Sequence, residues 1–248
     1  MGPGFAATGL FCNNGSHQSP IDIDSCIRSN IPPLRTTGHS RIRPEGFTIM
    51  NTGSTAQINY RGNEPTMSGG PLPRGSTYVL VQAHFHWGES DAKGSEHAVH
   101  GKYGAMEAHF VHRKRSYPDL ETLIYSILQL NYQEQERNNT KLDPIVTKLA
   151  EIRAAKTLAR IDADALFWLN DALSPFRYYN YPGSLTTGDC NEVVNWIVMK
   201  KRVGISATQI AEFRKLIGKD GMAITEYRRE VQDLNNRKIK CPRVFPMV

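Results

Sequence analysis

The stretch from Tyr78 to Gly88 constrains the fold most, because it has the pattern of a buried β-strand and yet carries two histidines. Its sequence is YVLVQAHFHWG, and strand side chains alternate between the two faces. Val, Ala, Phe and Trp then share one face, and His84 and His86 share the other with Gln82. Imidazoles two residues apart on a strand are about 6.5 Å apart at Cα, close enough to bind one metal ion. The stretch predicts a strand with one face packed against the core and one face whose histidines can bind a metal ion.

A second stretch, AMEAHFVH (105–112), shows the same alternation, with Glu107, His109 and Val111 on one face. If the two strands are neighbours, three imidazoles converge, which suits Zn²⁺ and leaves a fourth position open for water. Gln82 and Glu107 each stand two residues before a histidine and can accept its second N–H. A single strand histidine is usually an ordinary core or surface residue. However, six of the eight histidines fall between residues 84 and 112, which favours a metal site.

The rest of the sequence predicts many strands and few helices. Strand-like segments recur between residues 47 and 112 and again at EVVNWIVMK (192–200), separated by Gly, Pro, Asn and Ser clusters. DPIVTKLAEIR (143–153) predicts a helix with Asp143 as its N-cap. SATQIAEFRKLIG (206–218) predicts another, with a capping box from Ser206 to Gln209. Without a βαβ rhythm, this order indicates one α+β domain around a large mixed or antiparallel sheet.

Composition excludes several classes of protein. The chain has 248 residues, 40% apolar and 22% charged, as in ordinary globular proteins. No apolar run approaches the roughly 18 residues of a membrane helix, so we expect no transmembrane segment. The first residues, MGPGFAATGLFC, lack the regions of a signal peptide, so any such peptide is expected to have been removed.

The net charge of +6 is spread along the chain. Its tightest clusters are short: residues 112–116, 200–203 and 227–230. None has the interleaved aromatic residues of a base-stacking surface. We interpret all three as solvated faces and expect no nucleic-acid partner.

Cysteines and sequons favour an oxidising compartment. The four cysteines contain no CxxC spacing, which argues against a structural zinc held by thiolates. Asn14 and Asn138 begin Asn-x-Ser/Thr sequons and are candidate glycosylation sites. Together with an even cysteine count, they favour a secreted protein.

Four blocks resemble the α-class carbonic anhydrases of the secreted type: QSPIDI (18–23), QAHFHWG (82–88), GSEHAVHGKYGAMEAHFVH (94–112) and YPGSLTTGDCNEVVNWIV (181–198). They keep the family's order and spacing. The resemblance implies a single α+β domain around a central, mostly antiparallel twisted sheet of about ten strands, with peripheral helices and a zinc at the base of a conical cleft. We expect this domain at 12–241, with 1–11 as an N-terminal arm or cloning remnant and 242–248 as a tail.

The resemblance also implies a role for each matched residue. His84, His86 and His109 match the zinc ligands, and Gln82 and Glu107 match the acceptors behind His84 and His109. Thr186 and Glu96 match the catalytic pair that orients zinc-bound hydroxide towards CO₂, and Tyr181 and Ser19 match a hydrogen-bonded pair near the site. The residues that match the substrate-binding wall are Val111, Ile124, Leu185, Thr187 and Trp196.

The chain departs from the family pattern at several positions. Ser54 stands where fast members carry a proton-shuttle histidine, and a serine hydroxyl does not titrate near pH 7. We therefore expect slow, buffer-dependent proton export. Gly188 and Asp189 replace two prolines.

The cysteines divide into a pair that the family explains and a pair that it does not. Cys12 and Cys190 match the disulfide of secreted members. Cys26 and Cys241 have no such precedent, and both a second disulfide and two free buried thiols stay open.

The resemblance implies a secreted enzyme, a carbonate dehydratase that hydrates CO₂ reversibly to bicarbonate with Zn²⁺ as its cofactor. Sulfonamide-type inhibitors are expected to bind, and a monomer is expected, with an oligomer left open. The alternative is a non-catalytic binding or matrix protein on the same fold. Because the chain keeps all three histidines together with Glu96 and Thr186, the enzyme is favoured.

Overall fold

A computed structural model describes residues 12, 14–40, 47–60, 65–116, 125–162 and 164–243. Strands dominate this part of the chain. In order they are β1 Asp22–Ile23, β2 Ile27–Ser29, β3 Leu34–Thr37, β4 Phe47–Asn51, β5 Ala56–Tyr60, β6 Thr66–Gly69, β7 Thr77–Trp87, β8 Ala98–Val99, β9 Lys102–Tyr103, β10 Met106–Lys114, β11 Tyr125–Gln135, β12 Leu158–Arg160, β13 Tyr178–Gly183, β14 Val194–Met199, β15 Val203–Ser206 and β16 Lys240–Pro242.

One 13-stranded sheet holds the molecule together, and its main path runs β12-β4-β5-β7-β10-β11-β14-β13-β16-β2. Most neighbours pair antiparallel, but β11 runs parallel to β14 and to β15, and β16 runs parallel to β2. A separate three-stranded sheet has the order β1-β8-β9. The expectation of a single α+β domain around a central, mostly antiparallel sheet with peripheral helices is therefore confirmed, with more strands in that sheet than expected and a second, small sheet beside it.

The two long strands that carry the histidines lie at the centre of this sheet. β7 and β10 pair antiparallel, so both are flanked on each side by another strand. The apolar face of β7 packs into the larger of two hydrophobic clusters, where Phe85 and Trp87 are almost fully buried. Burial of such large side chains stabilises the sheet by about 1.5–3 kcal/mol each, and this anchors the opposite, histidine-bearing face.

Helices are short and peripheral among the described residues. α1 is Asp143–Val146, α2 is Leu169–Ala172 and α3 is Ala207–Arg214, and 3₁₀ turns cover Thr140–Leu142 and Thr147–Ala150. The capping box that begins α3 is confirmed, since Ser206 accepts from the Gln209 N–H and Gln209 reaches back to the Ser206 N–H. The helix expected over 143–153 is wrong in extent, because α1 gives way to a 3₁₀ turn after one turn. Asp143 lies inside α1, and its N-cap is Leu142.

Two disulfides tie the early chain to the late chain. Cys12 bonds Cys190, as the family resemblance implies, and Cys26 bonds Cys241, which settles the alternative left open. Among the described residues no helix has the length and apolar character to cross a membrane.

Candidate metal centre

The register between β7 and β10 brings the three histidines together. His109 lies directly opposite His84, and Glu107 lies opposite His86. The ring centroids are 4.9 Å apart for His84 and His86, 5.2 Å for His84 and His109, and 4.4 Å for His86 and His109. One nitrogen from each ring lies within 4.8 Å of the others. The three side chains thus surround one point on the polar face of the sheet.

Each ring has one nitrogen held by an acceptor, which fixes the other nitrogen as the ligand atom. His84 Nδ1 donates to Gln82 Oε1 at 2.9 Å, and His86 Nδ1 donates to the Tyr227 carbonyl at 3.1 Å. His109 Nε2 donates to Glu107 Oε1 at 2.6 Å. Because these partners can only accept, the free nitrogens carry lone pairs. They are Nε2 of His84, Nε2 of His86 and Nδ1 of His109.

These residues fit a zinc ion. His86 Nε2 is buried and has no hydrogen-bond partner among the described residues, although buried polar atoms rarely stay unpaired. Burial, together with the neighbouring imidazoles, holds the pKa of His84 well below its usual value and lowers that of His109. Both rings therefore stay neutral, which is the form that binds metal. Three neutral imidazoles form the ligand set of catalytic zinc.

Glu107 anchors His109 through a buried network. Its Oε1 also accepts from His97 Nδ1 at 2.8 Å, while its Oε2 accepts the backbone N–H groups of Glu96 and His97. Burial raises the pKa of Glu107, but His97 and His109 outweigh it and hold that pKa well below its usual range. An ionised Glu107 therefore keeps Nε2 of His109 protonated.

His97 extends this network, although no sequence pattern predicted a role for it. Its Nε2 lies 2.6 Å from Tyr181 Oη, which in turn lies 3.0 Å from Ser19 Oγ. His97 has no exposed surface. His97 belongs to the block GSEHAVH, but no pattern in the sequence indicates that it contacts Glu107.

Glu96 and Thr186 border the same small pocket, together with His86 and Thr187. Glu96 Oε1 lies 3.2 Å from His86 Nδ1 and accepts the Arg229 N–H at 2.8 Å. Burial raises the pKa of Glu96, yet the ion pair with His86 lowers it overall, so the carboxylate is ionised. Burial likewise lowers the pKa of His86, but Glu96 outweighs this and raises it.

The second oxygen of Glu96 accepts no hydrogen bond. Oε2 is buried, lies 3.8 Å from His109 Nε2, and has no hydrogen-bond partner within the described residues, Thr186 included. Glu96 therefore keeps one acceptor oxygen unused, and its side chain lines the same pocket as Thr186.

The segment from 227 to 230 closes the site from the other end of the chain. The Tyr227 ring stacks on His86, with centroids 5.0 Å apart and planes 10° apart. Arg229 donates to Gln18 Oε1 and to the Ser19 and Cys12 carbonyls, so it fastens the N-terminal region beside Glu96. The interpretation of this basic cluster as a solvated face is therefore wrong. Tyr227 is only 9% exposed, and the Arg228 side chain is 5% exposed between Glu226 and Glu230.

An apolar wall stands beside the histidines. Val111, Leu185 and Trp196 belong to one hydrophobic cluster, and the Trp196 ring lies 4.9 Å from His109. Trp196 Nε1 donates to the Ser184 carbonyl, which fixes the indole. Ile124, the other apolar residue expected here, lies outside the described residues.

The positions that depart from the family pattern lie in turns. Ser54 occupies the turn between β4 and β5, and β5 pairs with β7 so that Gln57 faces His84. Gly188 adopts a φ of +64°, a left-handed conformation that proline cannot reach. Asn14 and Asn138 are both exposed, and Asn138 Oδ1 accepts from Ser206 and Thr208 at the start of α3.

Comparison with known proteins agrees with this geometry. The model of the eukaryotic-type carbonic anhydrase family matches residues 6–243. The chain is 31% identical over 245 residues to carbonic anhydrase 15 of Mus musculus, covering 92% of this chain and 75% of that protein. It is also 31% identical over 238 residues to carbonic anhydrase 1 of Oryctolagus cuniculus, covering 92% of this chain and 99% of that protein. The chain belongs to the eukaryotic-type carbonic anhydrase family.

Proposed function

We propose that this protein catalyses the reversible hydration of CO₂ to bicarbonate, with zinc held by His84, His86 and His109. The observation that carries the proposal is the set of three imidazoles with one free nitrogen each, all within 4.8 Å. Zinc bound there would lower the pKa of a water molecule to about 7 and supply a nucleophile at neutral pH. No fourth protein ligand joins the three within the described residues, so a position stays open for that water.

The chain's own residues would orient the reaction. Thr186 Oγ would accept a hydrogen bond from the water-derived nucleophile, and its own O–H would donate to Oε2 of ionised Glu96, which leaves the nucleophile one orientation. CO₂ has no net dipole, so an apolar wall of Val111, Leu185 and Trp196 suffices to hold it, with Thr187 beside Thr186 at the cleft. Gln82, Glu107 and the Tyr227 carbonyl would keep the three imidazoles in their metal-binding tautomers.

Proton export would be the slow step. Ser54 cannot take up a proton near pH 7, and Gln57, on the neighbouring strand, is also uncharged in that range. We therefore propose that buffer molecules carry the proton away. Turnover should rise with imidazole concentration, and Ser54→His should raise turnover at low buffer by about 10- to 100-fold, at or below the range of general acid–base effects. Ser54→Asn, which adds bulk without a titrating group, should not.

The direct test measures zinc content and CO₂ hydration together. We expect one zinc per chain and a stopped-flow hydration rate that a chelator or a sulfonamide abolishes. His109→Asn should lose both zinc and activity, whereas His100→Asn, an exposed turn histidine of the same region, should keep both. One zinc per chain without hydration would instead support the non-catalytic binding protein.

Thr186 has its own test. Thr186→Ala should lower the hydration rate on the order of a hundredfold, the cost of a misplaced reacting group, and should leave zinc content unchanged. Thr186→Ser keeps the hydroxyl and should restore most of the rate. Equal rates for the two variants would remove Thr186 from the mechanism.

We also propose that the protein works outside the cell. Two disulfides support an oxidising compartment, since such bonds are rare in the cytosol. The exposure of Asn14 and Asn138 is compatible with glycosylation at both sequons. Expression in a secretory host, followed by mass spectrometry of the two sequon peptides, tests that modification.

A further inference from the structure

A group of cations lies along the last four strands of the main sheet path, β14, β13, β16 and β2. Arg28 is in β2, Arg177 directly precedes β13, Lys200 directly follows β14, and Arg243 directly follows β16. All four are exposed. We call this set the cationic surface. The Lys200 cluster was first interpreted as an ordinary solvated face, and the proposed catalytic function makes no use of it.

Strand register places these residues together. Arg28 is paired with Cys241, and the Arg243 N–H donates to the Ser29 carbonyl on the same strand as Arg28. The Lys200 N–H donates to the Arg177 carbonyl, which brings the next two cations side by side. The four strands β2, β16, β13 and β14 are consecutive in the sheet, so the group spans three inter-strand spacings, or about 14 Å.

The positive charges of the cationic surface are not neutralised by ion pairs in the part of the chain that the structure describes. Among the described residues, none of the four makes an ion pair with a carboxylate. Burial lowers the pKa of Lys200, and the nearby charges of Arg28 and Arg177 lower it further. Crowded like charges disfavour the folded chain. A bound polyanion would relieve this repulsion.

An aromatic ring lies at the centre of the group. The Lys200 ammonium sits 4.2 Å from the centroid of the Tyr179 ring, and Tyr179 is partly exposed. A row of cations about 14 Å long exceeds what one phosphate or sulfate can reach, so it matches a chain of anionic groups. Tyr179 holds the Lys200 ammonium in place, so the sulfates of such a chain meet cations that are already positioned.

We propose that the cationic surface binds a linear sulfated polysaccharide. The choice of a polysaccharide over a nucleic acid rests on the extracellular location proposed above. Cross-strand pairing runs from His109 through Gln129 and Val198 to Tyr179, so the centre of the surface lies three inter-strand spacings, or about 14 Å, from the metal centre. None of its four cations lines the pocket that holds His86, Glu96 and Thr186. Binding and catalysis should therefore be independent of each other.

The test compares two triple variants of equal charge. Arg28→Gln, Arg177→Gln and Lys200→Gln together remove three of the four charges of the cationic surface. Arg74→Gln, Lys102→Gln and Arg160→Gln together remove three exposed cations elsewhere, one of them on the opposite edge strand β12. The probe is heparin, and binding is measured by calorimetry between 50 and 300 mM NaCl, about the range over which phosphate contacts lose most of their affinity.

We expect the first triple variant to lower heparin affinity at least tenfold and to reduce the slope of log affinity against log salt by about two to three, one for each lost contact. The control triple variant should change affinity less than twofold. Desulfated heparin should not bind the parent protein, and this result is independent of any variant's folding. CO₂ hydration, measured in parallel, should be the same in all three proteins.

Several results would overturn the proposal. Equal losses in both triple variants would mean that net charge alone attracts heparin. Tight binding of desulfated heparin would exclude sulfate recognition. Duplex DNA or anionic lipid vesicles that bind as tightly as heparin would identify a different partner. A parent protein that binds heparin but fails to hydrate CO₂ would refute the proposed catalysis alone.

Discussion

The ring of Tyr227 offers the sharpest test of how the metal centre is held. It stacks on His86 at 5.0 Å, and its backbone pairs with that of Trp87 on β7. The Tyr227 carbonyl fixes the protonated nitrogen of His86. Replacement of the side chain by leucine keeps this carbonyl and an apolar contact but removes the stack. His86 should then rotate more freely in the metal-free protein.

The magnitude follows from the lost contact. An aromatic pair in this geometry contributes about 0.5–1.5 kcal/mol. A free-energy change of 1.4 kcal/mol is a factor of ten in affinity, so Tyr227→Leu should weaken zinc binding by about two- to tenfold. This is below the 10- to 100-fold typical of residues that support a metal ligand directly, because the carbonyl remains.

The assay is zinc competition with a chromophoric chelator at pH 7.5. Tyr227→Phe serves as the matched control, since it keeps the ring and removes only the hydroxyl. The Co²⁺-substituted proteins provide a second readout, because the visible spectrum of Co²⁺ reports ligand geometry. We expect an altered spectrum for Tyr227→Leu and the parent spectrum for Tyr227→Phe.

Thermal unfolding of the metal-free proteins separates positioning from folding. If Tyr227→Leu and Tyr227→Phe bind zinc with the parent's affinity, the stacked ring does not position His86. If both lose affinity equally, the hydroxyl and not the ring is responsible. Either result would refute the reasoning.

Three further predictions concern charge and covalent links. Glu107→Gln should destabilise the protein by about 3 kcal/mol at pH 7, because an amide has one acceptor oxygen where the buried carboxylate accepts from two imidazoles and two backbone N–H groups, so buried donors lose their partner. The lowered pKa of Glu107 means that its contribution is present above the unfolded value of 4.5 and is lost as pH falls through the folded value, so the parent's denaturant midpoint should drop more steeply in acid than the variant's. Zinc should be released as pH falls below about 6.5, because all three ligands must be neutral to bind it and Glu96 raises the pKa of His86. Dialysis followed by metal analysis measures this release. Full retention of zinc at pH 5 would contradict the prediction. Cys26→Ser combined with Cys241→Ser should lower the free energy of unfolding by about 2–4 kcal/mol, because Cys12–Cys190 already shortens the loop that this disulfide closes. In calorimetry the melting temperature should fall by about 5–15 °C. An unchanged melting temperature would be the contrary result.

The sequence predicted the centre of the site well because local alternation decides it. Periodicity alone assigns His84, His86 and His109 to the polar faces of two strands, and the register between β7 and β10 brings those faces together. A buried central strand leaves little freedom of register, since a slip of one residue would turn Phe85 and Trp87 out of the core. Local pattern and tertiary structure therefore coincide here.

The surroundings of the site could not be predicted in the same way. Tyr227 reaches His86 across 141 positions, and Arg229 reaches Cys12 across 217. No periodicity in the sequence indicates such contacts, so the buried segment 227–230 had the same sequence pattern as a solvated basic cluster. The helix expected after Asp143 differs in another way: Ile145 and Leu149 are both buried as its apolar face requires, but the chain passes from α1 into a 3₁₀ turn between them.

The position of β16 has a consequence for how the chain assembles. This strand does not form a border; it lies between β13 and β2, and Cys26 and Cys241, which join the two strands, are 215 positions apart. Residues 27–29 therefore have no docking place until residues 240–242 have taken theirs. The β2 edge of the sheet can therefore be completed only after the C-terminal strand has added to β13.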